Sequence, residues 1–99
     1  MNMQQMLMQA QKMQRELQKA QDELKAKEFT VSKGGAVSVV VKGDRTVSSI
    51  SIDKDAFDPE NKEMVEEMIA LAINEAIAQI NKESEEINER ITGRSGGLF

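Results

Sequence analysis

Lys12, Arg15 and Lys19 stand three and four residues apart, a spacing that places three cations on one face of a helix. Side chains of this type and spacing could contact successive phosphates of a polyanion. The same residues could equally form a solvated face, with Lys12 pairing to Glu16 and Lys19 to Glu23, each pair worth a few tenths of a kcal/mol. Charge runs usually solvate helices, so the spacing alone leaves both readings open. Arg90 and Arg94 offer a second pair of cations near the end of a later helix. They suit the negative end of its dipole and could also meet phosphate.

Few other residues could do chemistry. Histidine, cysteine, tyrosine and tryptophan are absent. This removes the commonest general base, thiolate chemistry, the usual zinc ligands and two good base-stacking side chains. Glu60, Glu63, Glu66, Glu67 and Glu75 lack the Asp-rich loop spacing of a calcium site. Asp53, Asp55 and Asp58 read as turn and cap residues. No nucleophile–base pair, cofactor site or metal site is expected, and neither is a small-molecule substrate. A chain without cysteine fits a reducing cytoplasm. No apolar run reaches membrane-spanning length, and the N-terminus is too polar for a signal peptide, so no membrane role is expected.

The basic strip needs a long helix to carry it. Met3, Met6, Ala10, Met13, Leu17, Ala20 and Leu24 form an uninterrupted heptad seam, with no glycine or proline before Ser32. A seam this narrow wants a second helix. Some 25 residues make a rod of roughly 37 Å. A compact globule of this length, with a radius of gyration near ~13 Å, is only about 34 Å across. The helix, placed from Asn2 to Lys27, must therefore project.

Three strands follow. Phe29–Ser32, Ala36–Lys42 and Thr46–Ile52 are separated by Lys33-Gly34-Gly35 and Gly43-Asp44 turns, which predict an antiparallel meander. Val39, Val40 and Val41 make the middle strand apolar on both faces, so cover is expected from the chain's own helices and from a partner subunit. Asp58 and Pro59 start a second helix that runs to Thr92 and stops at Gly93. Its wide apolar face, through Ile73 and Ile77, narrows after Ile80 to Ser84, Ile87 and Ile91. The expected fold class is α+β, in the order α-β-β-β-α, with a three-stranded antiparallel sheet and two long helices. Residues 1–92 form a single domain and 93–99 a flexible tail. Oligomerisation would supply burial that so small a core lacks. Met6, Met13, Leu17, Val39, Val41, Ile73 and Ile80 are the expected dimer contacts.

The charge is uneven. Residues 1–28 carry +1, residues 29–54 carry +2 and residues 55–92 carry −8, within a total of −4. Such asymmetry suits a polyanion partner or self-association.

The ordered combination of Met8-Gln9-Ala10-Gln11-Lys12-Met13-Gln14, Gly43 after the valine strand, Ile52-Asp53, Lys62–Ile69 and Ala72-Ile73-Asn74-Glu75-Ala76 resembles the YbaB/EbfC nucleoid-associated proteins. The resemblance spans nearly the whole chain. It implies a small bacterial cytoplasmic protein, localised to the nucleoid, that forms a tweezer-like homodimer and binds double-stranded DNA with little sequence preference. It also favours the phosphate-contact reading of Lys12, Arg15 and Lys19. A rival from another class is a coiled-coil adaptor or prefoldin-like chaperone, with a methionine-lined tip and no DNA binding.

Overall fold

Asn2 opens the first helix with a reciprocal cap. Its Oδ1 accepts the Gln5 amide N–H at 2.8 Å, and Gln5 Oε1 accepts the Asn2 amide in return. Two amides that would otherwise lack partners are satisfied in this way. The computed structural model describes residues 2–93. From Asn2 the chain runs through α1 (Met3–Ala26), β1 (Glu28–Lys33), β2 (Val37–Lys42), β3 (Val47–Ile52) and α2 (Lys62–Thr92). The fold is α+β, and the strands form an antiparallel sheet in the order β1-β2-β3. The expected tail and Arg94 lie outside the described residues.

Register follows the hydrophobic alternation. Phe29 pairs with Val41, Val31 with Val39, and Val39 with Ile50, which aligns one apolar face across all three strands. α2 covers this face over β1 and β2 and barely reaches β3. The core is therefore Phe29, Val31, Val37, Val39 and Val41 against Val65, Ala72, Ala76 and Ile80. Alanines at 72 and 76 let the helix approach the sheet closely.

The sheet differs from expectation in one respect. Val39 and Val41 point the same way and are fully covered by the chain's own elements, as is Ile80. Only Val40 faces outward, among Thr30, Ser38 and Ser49. The outer face is thus rich in hydroxyls and not the second apolar layer expected from three successive valines. The uncovered apolar surface lies instead on β3, where Val47 and Ile50 remain 45% and 46% exposed on the helix-facing side. A three-valine run hides this, because successive strand residues alternate faces.

The approach to α2 also differs. Two short 3₁₀ turns, Lys54–Ala56 and Pro59–Asn61, precede it. Asp58 caps the second turn through the Glu60 amide, with Pro59 at the first position. The α-helix proper begins at Lys62. It ends at Gly93, whose φ of 71° is the left-handed cap expected of that glycine.

Beyond the sheet, α1 and α2 run side by side. Leu17, Ala20 and Leu24 pack with Ile80, Ile87 and Ile91. Gln21 bonds the Ser84 carbonyl, the Ser84 hydroxyl and Asn88 at 3.3–3.5 Å. α2 gives out near Leu17, and every residue of α1 from Met3 to Glu16 is exposed. This overhang is roughly 21 Å of helix at 1.5 Å per residue. The molecule measures 69 × 21 × 15 Å as a result.

Candidate nucleic-acid interface

The arm is held at its root by backbone. Gly43, in the turn after β2, is buried, and a Cβ there would lie 1.7 Å from the Leu24 carbonyl oxygen. Only glycine lets the last turn of α1 sit on this strand end. The Gly43 amide donates to the Lys27 carbonyl at 2.9 Å. Lys27 then binds Glu83 of α2 at 2.7 Å and lies 5.2 Å from the Phe29 ring centroid. Sequence reading missed this seat. Gly43 was visible as a turn residue, but its neighbour Leu24 lies on another element.

Lys12, Arg15 and Lys19 emerge on the flank of α1 opposite the methionine and leucine seam, exposed to solvent. None of them forms an ion pair with a described residue. The helix pairs with Glu16 and Glu23 that would mark a merely solvated face are absent, and Asp22 instead accepts from Gln18 at 3.0 Å. Arg15 and Lys19 border a shallow depression with Gln18, Asp22 and Glu23. Lys12 and Arg15 face no acid nearer the tip, because the first carboxylate of the chain is Glu16. A row of unpaired cations on a projecting rod can meet phosphates without desolvating a partner first.

Arg90 stands elsewhere. It lines a groove between the two helices with Glu23, Lys27, Glu83 and Glu86, away from the α1 strip, and forms no ion pair with a described residue. Other cations are engaged structurally. Lys33 binds Glu75 at 2.7 Å, Lys62 binds Glu66 at 2.9 Å, and both the Nε and the terminal amine of Arg45 donate to Asn81. Lys25, Lys42, Lys54 and Lys82 also form no ion pair with a described residue, so what distinguishes Lys12, Arg15 and Lys19 is their shared face on one helix. Of the expected partner contacts, Met6 and Met13 are exposed on the overhang, Leu17 is half-buried beside the core, and Ile73 of α2 is half-buried against it. Among the described residues no histidine, cysteine or acid group clusters as a metal site, and no helix is long and apolar enough to cross a membrane.

The fold is thus a small three-stranded sheet covered by one long helix and carrying a second that projects from it with a basic strip on one flank. The model of the YbaB/EbfC DNA-binding family matches residues 1–95, and the chain belongs to that family. A nucleoid-associated protein of Clostridium novyi is 40% identical over 94 residues, covering 94% of this chain and 82% of that one. One from Chloroflexus aurantiacus is 41% identical, with all of both chains covered. The crystal structure of an uncharacterized Helicobacter pylori protein superposes with a TM-score of 0.77 at 22% identity, covering 94% of this chain and 99% of that one. That likeness concerns the fold.

Proposed function

We propose that the protein is a homodimeric nucleoid-associated protein of the cytoplasm. It binds duplex DNA through phosphates, with little sequence specificity, and so contributes to nucleoid organisation or gene regulation. The observation that carries this reading is the unpaired row Lys12, Arg15 and Lys19 on an exposed arm, in a family named for DNA binding. Phosphate contacts position a protein on a duplex but read no sequence. No aromatic wedge lies on the arm to kink base steps. The acidic α2, with eight carboxylates against three cations, keeps affinity modest. Salt mutes its repulsion, since exposed charges beyond about 8 Å are screened at physiological ionic strength.

Dimerisation is supported by the leftover apolar surface. Val47 and Ile50 are exposed on the sheet face that α2 packs against, and Ile69, Ile73 and Ile77 of α2 are themselves only partly covered. A second copy laid across this strip would bury it and set two arms side by side. Each Lys12, Arg15 or Lys19 contact should contribute about 0.9 to the slope of log affinity against log salt. Replacing all three with glutamine should weaken binding alike on unrelated duplexes and flatten that slope by roughly two to three units. Helicity and dimer mass should stay unchanged. A triple variant that binds like the parent moves the contacts off this strip. A parent with no salt-sensitive binding at micromolar protein returns the methionine-lined arm to the adaptor or chaperone reading.

A further inference from the structure

The overhang of α1 continues a seam that is covered further down. Leu17, Ala20 and Leu24 pack in or against the core, whereas Met6, Ala10 and Met13, on the same face, are exposed. Lys27 pairs with Glu83 and Gln21 with Asn88, so the two helices run antiparallel, and that register sets Gly93 level with Leu17. α2 therefore gives out where the bare seam begins. The seam itself offers a seat. Ala10 lies between Met6 and Met13 at spacings of four and three residues, a shallow gap with a thioether on either side. Sulfur packs favourably at the edge of an aromatic ring. Residues 1–11 carry no charged side chain, so the seat calls for an uncharged, apolar occupant.

Residues 94–99, outside the described part of the chain, include Leu98 and Phe99. Extended chain spans about 3.3 Å per residue, so Leu98 lies within ~16 Å of Gly93 and Phe99 within ~20 Å. Along α1, at 1.5 Å per residue, Met13 stands about 6 Å and Met6 about 17 Å beyond Leu17. The reach matches the bare seam. Arg94 is the single charged side chain of this segment, and Ser95, Gly96 and Gly97 separate it from Leu98. We propose that residues 94–99 lie along the arm of their own chain, with Leu98 and Phe99 seated on Met6, Ala10 and Met13, and that this contact helps keep the arm helical. The opposite flank, with Lys12, Arg15 and Lys19, stays open, so the strap and DNA occupy the arm together. Only that coexistence rests on the DNA reading above; the contact itself does not.

Nuclear magnetic resonance of the full chain, with labelled methionine methyls, tests this. The expected result is Overhauser contact between the Phe99 ring and the Met6 and Met13 methyls. It should persist in about 1 M salt, where the Debye length is only about 3 Å, because no charge holds it. Phe99→Ser should abolish the contact and quicken amide exchange from Met6 to Met13 by about tenfold, as loss of a partly buried ring does, with α2 and the sheet unchanged. Met6→Gln with Met13→Gln should do the same, since glutamine matches methionine in helix propensity and removes only the seat. Combining these changes with Phe99→Ser should add little, because the partners act as one unit. Phe99→Trp should keep the protection. A parent whose Phe99 ring meets neither methyl overturns the proposal, as does arm exchange that Phe99→Ser leaves unchanged. Contacts found only between differently labelled copies in a mixed sample assign the segment to a partner's arm and also overturn it. A duplex that displaces the ring from Met6 and Met13 overturns the coexistence. A parent that binds no duplex while the ring contact persists counts against the proposed function alone.

Discussion

Val39 has no exposed surface, lying between Phe29, Val31 and α2. Val39→Asp would place a carboxylate there without a partner, which costs several kcal/mol in a protein interior. Loss of the cooperative thermal transition by circular dichroism is the expected outcome. The same substitution at Val40, which is half-buried among hydroxyls, should leave a folded protein, and the contrast tests the orientation of β2. Asp44 offers a milder case. The Thr46 hydroxyl, and after it the Thr46 amide, hold its carboxyl below the ordinary value of 3.8. A depressed folded value means this brace contributes above that pH and is lost as pH falls through the lower folded value. Asp44→Asn should therefore flatten the acid limb of a stability–pH curve slightly, since the group is solvent-exposed.

At the scale of elements, the seat of α1 is the contact most open to test. Gly43→Ala forces the strand end and the Leu24 carbonyl apart, since a Cβ contact under 3.0 Å is not tolerated. Hydrogen exchange should quicken in α1 and at Lys27 while β1 and β2 keep their protection. DNA affinity should fall although no basic residue has changed. Much of this architecture was legible beforehand, because it depends on local pattern. The heptad from Met3 to Leu24 foretold a projecting helix, glycine pairs marked the first turn, and Asp58-Pro59 marked a cap. The failures were tertiary. Nothing local tells which face of β2 a helix covers, or that α2 lies toward β1 and leaves Val47 and Ile50 bare. For the candidate site, spacing placed Lys12, Arg15 and Lys19 on one face. That they are unpaired, while Arg90 sits among acids, depended on neighbours that the sequence does not name.

Whole-molecule shape gives its own test. The Cα radius of gyration is 19.1 Å, well above the ~13 Å of a compact chain of this length. Small-angle scattering should report an elongated particle with at least twice the 11.0 kDa chain mass at micromolar concentration. A chain mass of one would remove the homodimer and leave Val47 and Ile50 without a role. The Gln21 bonds to Ser84 and Asn88 link residues 63 and 67 positions apart, whereas the strands join by short hairpins. Hairpins close early and distant pairings late, because loop closure must precede their reward. The root of α1 is accordingly expected to dock on α2 after the hairpins form, and the overhang beyond it to fray first. Its free turns, Met3 to Glu16, have only their own hydrogen bonds and the Asn2–Gln5 cap to keep them helical, and 14 residues are marginal for a helix in water. A duplex that neutralises Lys12 and Arg15 would therefore tighten the arm as it binds, and part of the binding enthalpy would be helix formation.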